Sequence, residues 1–318
     1  MKILPATTAH YPGLAEFSNA LYPDELTTAA GIESGDQSRD PKFKFQRWIA
    51  LESGRVVGVG YYNQSIWFAH PQYFILSISV LPENRRSGVG SALYDTILHG
   101  LQPFDPLALR ASTSQDQPDC IRFLEKRGFS EVIRDIESEL DVQAFDLSRF
   151  SALEDRFQAQ GIQIKTLPQL ENDPARNEKL YYLDWEISLS VPGDLAAGIG
   201  RRGLDKYVEY AISGPSVLPD GFFVAVKGDE YIGLSHVLVS EKGVSLYQGL
   251  TGVKPAYRRL GLGLALKLRA IAFAQINGYV RIHAENDAKN LPMLAMNEKL
   301  GYVCEPDLIT LEKQMSNR

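Results

Sequence analysis

Apolar positions along the chain change period in a regular order. Residues 46–52 and 56–64 are two strand-like runs around Ser53-Gly54, and 73–81 is a third, so three extended segments are predicted first. The period then lengthens. Val89, Leu93, Ile97 and Leu101 recur at helical spacing, which predicts a helix over 88–101. A strand over 107–112, a short helix over 118–127 stopped at Gly128, and an extended segment over 129–142 follow. The second half repeats the order: strands 222–227, 231–240 and 244–253, helix 261–277, strand 280–285, helix 291–300, and a last extended segment 302–313. Strands leading into a strand–helix–strand–helix–strand run predict an α+β fold around a mixed sheet.

The recurrence is also written in the residues. Val80-Leu-Pro82-Glu-Asn-Arg85-Arg86-Ser87-Gly88-Val89-Gly90-Ser-Ala92-Leu93 aligns with Val253-Lys-Pro255-Ala-Tyr-Arg258-Arg259-Leu260-Gly261-Leu262-Gly263-Leu-Ala265-Leu266, with eight of 14 positions identical at an offset of 253 − 80 = 173. Glu125-Lys126-Arg-Gly128-Phe129 and Glu298-Lys299-Leu-Gly301-Tyr302 keep the same offset. A period this long marks a duplicated domain. Two domains, 1–145 and 146–318, are expected, joined through the polar, helix-like stretch 146–160. The polar loop between Gly31 and Lys44 and the glycine-rich 192–203 are expected to be mobile.

Composition narrows the function. The net charge of -6 argues against nucleic-acid binding, which usually needs a basic face. Cys120 and Cys304 form neither a disulfide framework nor a zinc spacing, so no metal is expected. The opening MKILPATTAH has no apolar signal core, and no run approaches the roughly 18 apolar residues of a membrane span. A cytoplasmic protein without membrane partners is expected.

Arg85-x-x-Gly88-x-Gly90 and Arg258-x-x-Gly261-x-Gly263 each stand between an apolar strand and an amphipathic helix. Free amides at a helix N-terminus, together with its dipole, attract phosphate. Glycine admits a pyrophosphate close to the backbone, and arginine adds charge-assisted contacts. Neither copy has the Gly-Lys-Ser/Thr of a Walker loop, and Leu93 and Leu266 occupy the third glycine position of a dinucleotide fingerprint.

The Arg-x-x-Gly-x-Gly motif after a Val-x-Pro strand end resembles the acetyl-CoA signature of the GNAT superfamily, and the helices ending in Gly-Phe or Gly-Tyr resemble its second block. The likeness covers nearly the whole chain as two copies. Thr251, Asn286, Asn290, Met293 and Asn297 make the second copy the closer match. The resemblance implies two GNAT-like domains, each a mixed, mostly antiparallel sheet flanked by helices, paired as an internal pseudo-dimer in a monomer. It implies acetyl-CoA as cosubstrate. Val253, Arg258, Arg259, Leu260, Gly261, Leu262 and Gly263 would hold it in the second copy, with Val80, Arg85, Arg86, Ser87, Gly88, Val89 and Gly90 as their counterparts. The strands 244–253 and 280–285 would splay to admit the pantetheine arm, and Asn286 and Asn290 would line that arm or cap the last helix.

Many members of the family place a tyrosine four residues before the Gly-Phe pair, as the acid for departing CoA. Leu124 and Asn297 stand there instead. Leucine has no proton to give and an amide is a poor acid, so Asn297 is a candidate donor or a helix residue bonding nearby backbone. Glu285 and His236 are the candidate bases, each with a structural alternative: a solvated strand end for Glu285, a satisfied core histidine for His236. Tyr247 is a further candidate, and His283, two residues before Glu285, has the same structural alternative. Tyr181-Tyr182-x-x-Trp185 falls where the family builds its acceptor pocket, or is core. The expected reaction is acetyl transfer to a primary amine of a small molecule by direct attack in a ternary complex. The other reading is a non-catalytic acyl-CoA sensor or scaffold.

Overall fold

A computed structural model describes residues 1–23, 26–64, 70–150, 153–192, 203–240 and 244–315. The chain forms two compact units, Met1–Val132 with Ile309–Arg318, and Ile133–Leu308.

The first unit begins with β1 (Lys2–Pro5), α1 (Tyr11–Leu21) and α2 (Ala29–Gln37). The predicted elements follow within one or two residues of expectation: β2 (Phe45–Glu52), β3 (Arg55–Gln64), β4 (Tyr73–Val80), α3 (Val89–Leu101), β5 (Ala108–Ser114) and α4 (Pro118–Glu125). Part of the stretch expected as a loop after Gly31 is α2, whose N-terminus is capped by the Thr28 hydroxyl accepting from the Gly31 amide at 3.0 Å. β1 to β4 are antiparallel in sequence order, and β5 joins β4 in parallel. One core lies under α3, around Leu93, Ile97 and Leu109, and the other under α1, around Leu14, Phe17 and Ile49.

The second unit holds β6 (Ser130–Asp141), α5 (Leu153–Gln158), β7 (Ile162–Thr166), α6 (Arg176–Ser188), α7 (Leu204–Tyr207), β8 (Val217–Lys227), β9 (Glu230–Val239), β10 (Ser245–Val253), α8 (Leu262–Ile276), β11 (Arg281–Asp287), α9 (Leu291–Leu300) and the short β12 (Val303–Cys304). Its strand order is β7-β8-β9-β10-β11-β6, with β12 beside β6. Leu246, Ile282 and Ala284 face α8, and Phe222, Val224 and Leu234 alternate to the opposite face, under α6. Residues 193–202, most of the glycine-rich stretch, lie outside the described residues.

The division at 145/146 is corrected by the terminal strands. β13 (Leu308–Gln314) neighbours β5. Ile309 and Leu311 are buried in the core around Leu93, and Arg110 pairs with Glu312 at 2.5 Å. β6 instead pairs antiparallel with β11, from Arg281 opposite Asp141 to Asp287 opposite Asp135. Each unit is thus completed by the strand that the sequence repeat gives to the other half. No helix among the described residues is long and apolar enough to cross a membrane.

Candidate active site

Both glycine motifs fold alike. A 3₁₀ turn, Pro82–Asn84 or Pro255–Tyr257, leaves the strand end, and the arginine after it donates from Nε back to the last strand carbonyl. Arg85 reaches Val80 O at 3.2 Å and Arg258 reaches Val253 O at 3.0 Å. Arg86 and Arg259 are left-handed at φ 62, and Gly88 (φ 93) and Gly261 (φ 87) are the N-caps of α3 and α8. Two left-handed residues per turn swing the chain so that the helix N-terminus points outward. Its amides have no side-chain cap, and helical bonding begins only at Ala92 N–H to Gly88 O and Ala265 N–H to Gly261 O. The amides before these are free to meet an anion. Arg85 and Arg258 therefore hold the turn, and Ser87 donates its hydroxyl to Asn84 O at 2.6 Å.

Beside each cradle a parallel strand pair opens. β10 and β11 pair only at residues 245–247 with 281–283, and β4 and β5 only at 73–75 with 108–110. The splay expected for the second copy is present in both. What separates the units is a β-bulge. β10 pairs with β9 at Gln248 opposite Val237 and resumes at Thr251 opposite Ser235, so Gly249 and Leu250 together face His236. β4 pairs with β3 without interruption from Val80 to Phe74. A bulge removes backbone groups from the ladder and turns the strand. Here it is fixed from both sides. The His236 ring lies against Gly249, where a Cβ would overlap it, and stacks on Phe222 at 4.8 Å. Gln248 Nε2 donates to His236 O at 2.8 Å, and the buried Ser235 and Thr251 hydroxyls meet at 2.8 Å.

Burial lowers His236 to about 4, so its ring is neutral, and Nδ1 has no partner. Glu285 stands on β11 past the last parallel pair, on the face opposite α8 that it shares with His283. Its side chain faces Glu137 of β6, with Asp287 facing Asp135 one step further on. Desolvation first, then Asp135 and Glu137, push Glu285 up to about 7, although it stays in contact with solvent. Asp135 rises to about 6 through desolvation, Asp287 and Glu137. Tyr247 lies 5.4 Å from His283, whose Nδ1 is 3.3 Å from Glu139.

Asn297 does not line an open cleft. It is 3% exposed, its Oδ1 accepts from Lys267 Nζ at 2.5 Å, and its Nδ2 is buried without a partner. Asn290 stands at the N-cap of α9 but makes no side-chain cap, which removes the capping alternative, and Asn286 is half-buried on β11. Tyr181 packs on Tyr207 at 5.5 Å, and Tyr182 is exposed. Lys267, Asp135 and Glu137 were missed in the sequence. Lys267 left a signal, a charge inside the apolar run of α8, whereas the carboxylates met Glu285 only through strand pairing.

The sequence signature of the acetyltransferase (GNAT) family matches residues 12–129 and 216–302, so the chain belongs to that family. It is an acyltransferase with two such domains. A tandem GNAT protein from the clavulanic acid biosynthesis pathway superposes with a TM-score of 0.75 at 16% identity, over 100% of this chain and 99% of the other. A GCN5-related N-acetyltransferase from Sphaerobacter thermophilus gives 0.67 at 13% identity, over 98% and 95%. A glucosamine N-acetyltransferase region of a fungal multi-domain GH3 β-N-acetylglucosaminidase gives 0.73 at 13%, over 98% of this chain and 38% of that one. A search of curated proteins gave no match.

Proposed function

We propose that the second unit transfers an acetyl group from acetyl-CoA to a primary amine of a small molecule, by direct attack in a ternary complex. The observation that carries this is the bulge at Gly249–Leu250, set between an uncapped helix N-terminus and a splayed strand pair. The amides at the start of α8 would take the pyrophosphate, and Asn286 and Asn290 would flank the arm. Backbone groups released by the bulge would polarise the thioester carbonyl. The amine nitrogen forms a bond to the carbonyl carbon, its proton passes to Glu285, and the C–S bond breaks with its electron pair on sulfur. A thiol of ordinary pKa ~8.5 leaves with little help from an acid. We therefore assign Asn297, held by Lys267, to supporting the site, and His236 to shaping the bulge.

The first unit has a cradle and a splay but no bulge between β3 and β4, and the buried Leu124 in place of Asn297. For that unit alone, acyl-CoA binding without transfer is favoured.

The two cradles are tested by substitution. A branched residue at φ near 90 is strained by ~1–3 kcal/mol and displaces the helix cap. Gly261→Val is expected to abolish CoA release with an amine panel, and Gly88→Val to leave it largely intact. In the unaltered protein, acetyl-CoA at ~100 times its dissociation constant should add ~2.7 kcal/mol to the unit that binds it. No thermal shift at millimolar ligand overturns the reading.

A further inference from the structure

The direction of the backbone along β9 follows from the bonds at its two ends. Ser240 N–H donates to Ser245 O, and Ile232 O accepts from Lys254 N–H. The even-numbered residues of β9 therefore turn their backbone groups toward β10, and His236 is one of them. Carried in from one end, the pairing gives His236 to Gly249; carried in from the other, it gives His236 to Leu250. The His236 N–H and C=O thus point straight at the bulge.

A side chain meets that carbonyl. Gln248 Nε2 donates to His236 O at 2.8 Å and to Ser235 Oγ at 3.2 Å, and Ser235 Oγ meets Thr251 Oγ1 at 2.8 Å. A carbonyl can only accept, so the Gln248 amide has to turn its nitrogen to β9 and its oxygen away. That oxygen is buried and has no partner among the described residues. An unmet buried acceptor is costly. In the first unit the repeat offset of 173 puts Ile75 here, and the β3–β4 ladder runs through it without interruption. An apolar residue goes with the regular ladder, and the glutamine, with its unmet oxygen, goes with the bulge.

We propose that Gln248 is a positioning residue for the transfer. Its side-chain amide supplies the donor that His236 O would otherwise draw from the β10 backbone. An amide of the Gly249–Leu250 pair is thereby kept for the thioester carbonyl oxygen, which is polarised before the amine attacks. Gln248 itself touches neither acetyl-CoA nor the amine and acts through the bulge alone. The proposal rests on the transferase reading.

The test is isotope-edited infrared spectroscopy of the full chain with acetyl-CoA labelled at the thioester carbonyl. A hydrogen bond to that oxygen lowers the stretching frequency, so wild type is expected to show a bound component below the band of free acetyl-CoA. Gln248→Met, similar in shape and without the donor, should lose the displaced component, while titration calorimetry still shows acetyl-CoA bound with its affinity nearly unchanged. Ligand held by the first unit contributes an undisplaced band in both proteins. In turnover, kcat should fall about 10²-fold, the scale of cost for a misplaced reacting group, and the KM for acetyl-CoA should stay nearly unchanged. A displaced component of equal size in both proteins, or an unchanged kcat, overturns the proposal and leaves the transferase reading standing. Acetyl-CoA bound by wild type with no displaced component overturns it as well. No binding of acetyl-CoA by wild type overturns both. If Gln248→Met does not fold, Gln248→Glu takes its place, equal in length and without a donor once ionised, and a displaced component that survives in it overturns the proposal.

Discussion

Glu285 and Lys267 are both pushed toward pH 7, in opposite directions. Glu285 rises to about 7 through desolvation and the facing Asp135 and Glu137, with His283, Asp287, Glu139 and Tyr247 on the same face. A base must be ionised to accept a proton, so turnover should climb with pH through about 7 and then level. Glu285→Gln should remove that limb and lower the rate by about 10²–10⁴-fold, read from kcat/KM profiles of both proteins. Lys267 is fully buried and lowered to about 7 by desolvation, with the Tyr302 ring 4.7 Å away. In the first unit the same offset gives Tyr94, Leu124 and Phe129, an ordinary apolar core. Between about pH 7 and the ordinary lysine value of ~10.4, the unfolded chain binds the proton that the folded chain lacks, so stability rises with pH across that window. Lys267→Met with Asn297→Leu should remove this slope and stabilise the protein at pH 7 by ~1–4 kcal/mol. Urea melts at pH 7 and pH 9 are the check, and an unchanged slope contradicts the burial argument.

At the scale of elements, the two units share a cradle and differ in one strand. The cradle was legible because its determinants are local: proline, arginine and glycine within ten residues set the turn, the left-handed cap and the free amides. The splay was legible only through the resemblance. The bulge was not legible at all. It is a register slip between β9 and β10, and Gly249 shows its reason only when His236 arrives from the neighbouring strand and Phe222 from the next. His236, a candidate base in the sequence, is in the structure a buried ring stacked on Phe222. The carboxylates facing Glu285 belong to β6, about 150 residues away in sequence, so no spacing could join them.

For the whole molecule, the decisive feature is the placement of the two last strands. Deleting residues 308–318 should bare the edge of β5 and remove Ile309 and Leu311 from the first core. At ~1.5–3 kcal/mol per buried side chain, the first unit should lose about 3–6 kcal/mol. Its unfolding transition should fall in a thermal scan and recover when a peptide of that sequence is added. A transition unmoved by the deletion would show that the strand is dispensable.

The sequence by itself determined the duplicated α+β architecture, nearly every element after residue 45 in the first copy, and both glycine turns that leave a helix N-terminus uncapped, because alternation, helical periodicity and turn chemistry act over a few neighbouring residues. Tertiary structure decided which half each final strand completes. The repeat makes 130–141 equivalent to 303–314, so both segments carry the same apolar pattern and either sheet edge could accept either one. It also decided which polar residues meet. Lys267 with Asn297 and Glu285 with Glu137 owe their chemistry to burial and to partners supplied by other elements, and neither is a property of a residue's place in the chain.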